Sequence, residues 1–235
     1  MLWQLELARF GVLLVISRVR ALWLDERQMR KVMRDLCRRE LKRHNVQLLV
    51  HGKPVRGFLA ANHTSYLDGV VSVALFPAGF IGKIEVRDYP LIGPLAASLG
   101  MLWVRREEQS SRDAAKAALN VRDATAEPLW IYPEGKTTTF GTLGKFKMGV
   151  FKAAEASGHV VQPLAMCYND RYIDWTGSKS VLLGIRTFYS TQRPLKVRCF
   201  WLKPFHVAPG EAHATAERLN HTLRAYVERF EVQGL

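Results

Sequence analysis

The sequence predicts an α/β fold: a mixed, largely parallel sheet flanked by helices, behind an N-terminal two-helix extension that associates with membranes. Three observations predict it. From residue 46 onward, apolar runs of strand length alternate with stretches of helical periodicity, the pattern of strand–helix–strand units. The 235 residues suffice for one large domain with a sizeable core. The first 45 residues differ in kind, an apolar helix followed by a strongly basic one. The economical division is a two-helix membrane platform over 1–45 and a main domain over 46–235.

The chain opens MLWQLELARFGVLLVISRVRALWL. Its unbroken apolar run, Phe10 to Ile16, is too short to span a bilayer, which takes about 20 residues. Glu6 stands early and no small-residue cleavage site follows, so it does not read as a signal peptide. Arg9, Arg18 and Arg20 flank the run, and Trp3 and Trp23 stand near its ends. That is the arrangement of an interfacial or shallowly embedded helix whose arginines reach up to the headgroups. Packing on the protein's own core is the alternative.

Between Asp25 and Asn45, Met29, Val32, Met33 and Leu36 keep helical spacing. The opposite surface carries Arg27, Arg30, Lys31, Arg34, Arg38, Arg39, Lys42 and Arg43. Basic amphipathic helices of this kind lie on acidic membranes. Otherwise the helix is solvated, its charge relieved by Asp35 and Glu40. Strands are then expected at 46–51 and 57–61, a helix at 65–76, a strand at 101–104 and a helix at 110–126. A buried strand at 129–132, a helix at 146–157, strands at 160–168 and 196–202, and an amphipathic helix at 211–230 complete the chain.

Lys and Arg together number 34 against 21 acidic residues, a net charge of +13. Such a surface attracts polyanions, nucleic acid or an anionic lipid leaflet. No nucleic-acid module is recognisable, and aromatics are not interleaved with the cations on one surface, so no nucleic-acid partner is expected. Cys37, Cys167 and Cys199 are scattered, which argues against a disulfide framework and a zinc site and for a reducing compartment.

The chemistry is concentrated in Asn62-His63-Thr64-Ser65-Tyr66-Leu67-Asp68, between an apolar strand and a helix, where α/β proteins place active groups. An Asp five positions after a His can fold back onto one imidazole nitrogen. It then fixes the tautomer and steadies the cation formed when the other nitrogen takes a proton. A positioned base of this kind contributes about 10²–10⁴-fold to attack of an alcohol on a carbonyl. Thr64 or Ser65 is expected to cap the following helix rather than act as a nucleophile. The spacing alone is common; three more blocks, in a fixed order further along the chain, make it specific. Gly100-Met101-Leu102-Trp103-Val104-Arg105-Arg106 delivers two guanidinium groups at a strand end, suited to phosphate or carboxylate. Tyr132-Pro133-Glu134-Gly135-Lys136-Thr137-Thr138 offers a carboxylate, an exposed backbone, a cation and hydroxyls after a buried strand. Lys145-Phe146-Lys147-Met148-Gly149 and then Val161-Gln162-Pro163-Leu164 close the series.

In these four ordered blocks the chain resembles the glycerolipid acyltransferase family typified by 1-acyl-glycerol-3-phosphate acyltransferase. The family's blocks are Asn-His-x-Ser-x-x-Asp, Gly-x-x-Phe-x-x-Arg, Phe-Pro-Glu-Gly-Thr-Arg-Ser and an apolar-Pro segment, and the likeness covers roughly residues 46–170. The resemblance implies a general base at His63 with Asp68 as its partner, and Arg106, Glu134 and Gly135 in acceptor binding. It also implies an acyl-CoA or acyl-carrier-protein donor and a membrane platform of two helices. Thr137 stands where the family has an Arg associated with the acceptor's phosphate; Lys136, Arg105 or Lys147 can supply the missing charge.

The expected activity is therefore transfer of a fatty acyl group to the free hydroxyl of a lysolipid, first of all 1-acyl-glycerol-3-phosphate giving phosphatidate. Lyso-ornithine lipid or a lysophospholipid is the alternative acceptor, and a non-catalytic membrane lipid-binding protein the alternative without chemistry. No metal or cofactor beyond the thioester donor is expected, with amides near Gly135 or at the start of the Ser65 helix as oxyanion donors. Residues 91–102 are a candidate wall for the acyl chain. Membrane lipids, the lysolipid and acyl carrier protein are the expected partners, and the cytoplasmic face of the membrane, in peripheral or monotopic attachment, the expected place.

Overall fold

The chain begins with two helices, α1 (Leu2–Arg20) and α2 (Glu26–Arg43), in a computed structural model that describes residues 2–89, 92–105, 108, 110, 119, 127–174, 181–191 and 193–232. Asp25 starts α2: its carboxylate accepts from the Gln28 amide while the Gln28 side chain accepts from the Asp25 amide. This reciprocal box satisfies donors that a helix start otherwise leaves unpaired, for about 1 kcal/mol. Met29, Met33, Cys37 and Leu41 are buried in one hydrophobic cluster with strand residues of the main domain. Residues 1–45 thus share a core with the rest of the chain, and α2 presents outward its basic face, not its apolar one. Arg30 corrects that face's expected roster. It is buried, held by Glu26, by Glu127 at 2.9 Å and by the Leu99 carbonyl at 3.1 Å.

Among the described residues seven strands make the sheet: β1 (Val46–His51), β2 (Phe58–Ala61), β3 (Gly79–Lys83), β4 (Leu102–Val104), β5 (Leu129–Ile131), β6 (Val161–Tyr168) and β7 (Leu195–Trp201). Their spatial order is β1-β7-β6-β2-β5-β3-β4. Neighbours are parallel except β6 and β7. Alternate residues of the central strands enter different cores, as strand geometry demands. Leu59, Ala61, Trp130, Leu164, Met166 and Tyr168 face α2 and α3 (Leu67–Leu75). Phe58, Ala60, Leu129, Ile131, Ala165 and Cys167 face α5 (Gly149–Ser157) and α7 (Ala212–Val227). Covered on both faces, β6 is buried along its whole length, the signature of a sheet between helix layers.

The expected mixed, largely parallel architecture is the one observed, with boundaries moved by up to three residues. Strand β3 and helix α6 (Val181–Ser190) are not anticipated by the sequence pattern. The helix expected at 110–126 lies for the most part outside the described residues. Within 91–102 the chain forms the short helix α4 (Ile92–Ala97) and enters β4. A 3-10 turn (Ile84–Asp88), another (Arg171–Ile173) and a π-helical turn (Glu228–Val232) complete the elements among the described residues.

No helix among the described residues is long and apolar enough to cross a membrane. Helix α1 nevertheless leaves apolar side chains in the open. Leu5, Val12, Val15, Ile16 and Val19 are exposed, and beyond its end so are Leu22 and Trp23, the last at 83%. At 100° per residue these positions fall on one side of the helix, while Leu14 turns into the core. Ion pairs lock α1 to α2: Arg43 holds Glu6 at 2.7 Å, and Arg9 binds Glu40.

Candidate active site

Three adjacent parallel strands point their carboxyl ends the same way, and residues at and just past those ends make the site. β2 lies between β6 and β5; just past β2 come Asn62 and His63, past β5 come Tyr132 and Glu134, and β6 finishes at Tyr168. Carboxyl ends of parallel strands are where open α/β sheets place ligands. Asn62 continues the β2–β6 pairing with its side chain, its amide nitrogen donating to the Met166 carbonyl at 2.8 Å and its oxygen accepting from the Met166 amide at 2.8 Å. That fixes the point from which His63 departs.

His63 and Asp68 meet. Nδ1 lies 2.8 Å from Asp68 Oδ2, so Nε2 points away from the carboxylate, on a side chain with 16% of its surface exposed. Asp68 is fully buried in the first turn of α3. Its Oδ2 also accepts from the Thr64 amide at 2.7 Å and the Ser65 amide at 2.9 Å, and its Oδ1 accepts from the Tyr168 hydroxyl. Four donors on one buried carboxylate compensate the loss of water. The His63 ring stacks on Tyr132, centroids 4.1 Å apart and planes 12° apart, and the Tyr132 hydroxyl meets Ser72 Oγ at 2.9 Å. Burial, reinforced by Asp68, holds both phenols well above their ordinary range, so Tyr168 keeps the proton it donates.

Two expectations change here. Thr64 does not cap α3; Asp68 gathers the amides of the turn, and Ser65 Oγ accepts only from Leu67 at 3.2 Å. The amides of Thr64 and Ser65, and that of Gly135, which donates to the Tyr132 carbonyl at 2.9 Å, are already engaged and so are poor oxyanion donors.

Glu134 is buried and tied in three directions. Oε1 accepts from the His63 amide at 2.7 Å, Oε2 from the Gly144 amide at 2.7 Å and the Thr138 hydroxyl at 2.9 Å. Burial pushes its carboxyl up, against these donors. The Thr138 amide returns to the His63 carbonyl at 2.8 Å. Glu134 thus fastens the His63 turn to the 138–144 loop. Gly135 sits at φ +70°, and a Cβ there would come within 2.9 Å of Lys147 Cε and Nζ. The Lys147 side chain therefore lies directly across Gly135, its amide held by the Pro133 carbonyl at 2.8 Å. Lys136 is exposed and Thr137 half-buried beside it. Arg105 is exposed and paired with Glu108 at 2.9 Å; it leaves β4, three strand spacings or about 14 Å across the sheet from β2. Arg106 lies outside the described residues.

Sequence reasoning missed Tyr168, Ser72 and Thr138. Thr138 ends the third motif block, but Tyr168 lies 100 residues from Asp68, and a polar-tipped residue ending an apolar strand was its only signal. Among the described residues no group of three or more His, Cys, Asp or Glu could hold a metal ion.

A family model described as acyltransferase matches residues 43–167, more than half of the chain and nearly the whole of this constellation. The chain belongs to the acyltransferase family. It is 38% identical over 112 residues to the lyso-ornithine lipid O-acyltransferase of Pseudomonas aeruginosa, covering 46% of this chain and 42% of that one. Over 122 residues it is 28% identical to the 1-acyl-sn-glycerol-3-phosphate acyltransferase of Neisseria gonorrhoeae, covering 52% and 46%. A longer match, 29% over 172 residues, links it to the lyso-ornithine lipid O-acyltransferase of Rhizobium meliloti, covering 69% and 59%. The chain spans about half the length of the curated relatives it matches. Its fold is that of the 1-acyl-sn-glycerophosphate acyltransferase of Thermotoga maritima, with a TM-score of 0.65 at 18% identity over 94% of this chain and 88% of that one. In acyltransferase terms the first block supplies the His–Asp contact, and the third supplies the carboxylate that anchors it.

Proposed function

We propose that this acyltransferase moves a fatty acyl group from a thioester, acyl-CoA or acyl-carrier protein, to the free hydroxyl of a lysolipid at the cytoplasmic face of a membrane. The observation that carries the reading is the 2.8 Å contact of His63 Nδ1 with a buried Asp68, which turns Nε2 away from the carboxylate. In the proposed step Nε2 takes the proton of the lysolipid hydroxyl as that oxygen attacks the thioester carbonyl carbon. The carbonyl π pair moves to oxygen, and aimed donors meet the oxyanion. When the pair returns, the carbon–sulfur bond breaks and the imidazolium hands its proton to the departing thiolate. The acyl group passes directly, so no acyl-enzyme forms.

Glu134 acts by holding the His63 turn, and Lys147, laid across Gly135, meets the acceptor's anionic head group with Gly135, Lys136 and Thr137 beside it. Arg105 and Arg106 serve a more distant part of the lipid or the donor's phosphates. First among acceptors is 1-acyl-glycerol-3-phosphate, giving phosphatidate. A second acceptor, lyso-ornithine lipid, is favoured by Thr137 in place of an Arg and by the names of two relatives. Without the Arg, the site lacks a bidentate guanidinium fork for a phosphate monoester, and Lys136 and Lys147 act on the head group as point charges. Residues 1–45 form the membrane platform: the exposed side of α1 enters the interface while Arg27, Lys31, Arg38, Arg39 and Lys42 face anionic headgroups.

The test incubates purified protein with acyl-CoA and acyl-carrier-protein thioesters and a panel of lysolipids, products being identified by mass spectrometry. Acylated lysolipid is expected from the wild type and not from His63→Ala. Release of free fatty acid without an acceptor, or transfer unaffected by His63→Ala, overturns the proposal.

A further inference from the structure

Asp68 has two oxygens, and the structure treats them differently. Oδ2 faces the loop and takes His63 Nδ1 with the amides of Thr64 and Ser65. Oδ1 faces the sheet and receives the hydroxyl of Tyr168, fully buried at the carboxyl end of β6. That phenol is placed from both sides. Its ring belongs to the core under α3, and its backbone amide donates to Glu231 at 2.9 Å, whose other oxygen accepts from the Gly141 amide at 2.9 Å. Both phenol and carboxylate are out of reach of water, so no solvent molecule replaces this donor if it is removed.

We infer that Tyr168 is a positioning residue for transfer: its hydroxyl orients the Asp68 carboxylate toward His63 and sets how strongly the His63–Asp68 pair holds a proton. The inference rests on the proposed role of His63 as the base. A donor on Oδ1 spreads the carboxylate's charge and lowers its basicity. It also blocks rotation of the carboxylate, since Oδ1 cannot turn toward the loop without abandoning the phenol. Among the described residues, Tyr132 past β5, Cys199 on β7 and Glu231 interact electrostatically with Asp68, and Glu134 with His63. Tyr168 is fully buried and so does not touch substrate.

The test compares the full-length wild type with Tyr168→Phe, and with 3-fluorotyrosine placed at 168 as a stronger donor that keeps the hydroxyl. The His63 imidazole is titrated by nitrogen NMR on ¹⁵N-histidine-labelled protein, assigned with His63→Ala, and acyl transfer is followed against pH. Loss of the hydroxyl is expected to move the His63 midpoint and the acid limb of kcat/KM to higher pH, and fluorotyrosine to move both lower. In Tyr168→Phe, kcat falls about 10-fold with both KM values unchanged. Unmoved midpoints in both variants, with both folded by circular dichroism, overturn the inference. Graded midpoints in a protein that transfers no acyl group would sustain it while removing the proposed function.

Discussion

At the scale of residues, the site is built around a carboxylate that accepts more hydrogen bonds than a histidine partner alone requires. Asp68 Oδ2 gathers one imidazole and two amides, so replacement by Asn is a clean experiment. The Asn oxygen can keep the Oδ2 position, with its NH₂ turned to the Tyr168 hydroxyl, which can accept. Geometry survives and the negative charge is lost. Asp68→Asn is expected to melt near the wild type yet lose about 10³–10⁴-fold in kcat, read from initial rates and a thermal melt. A large fall in stability with activity retained would contradict it. His63 and Asp68 were legible in the sequence because their spacing is local and their block stands first of four. Tyr168, Ser72 and the triple tie of Glu134 were not, since each is a contact between segments far apart in the chain.

At the scale of elements, the helices obey their periodicity but divide their faces in ways a one-dimensional pattern leaves open. Helix α2 hides Met29, Met33, Cys37 and Leu41 under the main domain, and α1 turns Leu14 inward while leaving Val12 and Ile16 outside, at 58% and 44% exposed. Glutamates at these two positions together should abolish flotation with anionic liposomes and leave the melting temperature unchanged, because neither side chain contributes to the core. A variant that still floats would assign membrane attachment elsewhere. Arg43 and Arg9 hold the Glu6 carboxyl down to about 2, so the Glu6–Arg43 bond between α1 and α2 stays charged through the physiological range. Strand β3 escaped notice because it is five residues long and carries Gly79 and Gly82, which weaken strand propensity. Gly79 has a tertiary reason: a Cβ there would lie 2.5 Å from the Gly100 carbonyl oxygen.

At the scale of the whole molecule, the carboxyl-terminal turn closes on the site from the opposite face of the sheet. Glu231 is buried and accepts from Tyr168 and Gly141; burial, with Asp68 and Glu134 adding to it, pushes its carboxyl from an ordinary 4.5 up to about 7. Between those two values the fold keeps a proton that the unfolded chain releases, so this group's contribution is present below about 4.5 and is lost as pH rises through about 7. Glu231→Gln lacks that dependence while losing one of the two backbone partners. It should be less stable than the wild type at about pH 5, and the gap should narrow toward about pH 8, as read from urea midpoints. A constant gap would show that Glu231 does not titrate in this range. By itself the sequence determined the α/β class, the two leading helices, the His63–Asp68 pair and the acyltransferase family, because periodicity and motif order are properties of neighbouring residues. Only the tertiary structure decided which face of α2 meets the core, that Lys147 lies over Gly135 while Arg105 stands apart, and that Tyr168 completes the carboxylate. The last depends on β6 lying beside β2 in the sheet, which brings together residues 100 apart in the chain that no local pattern encodes.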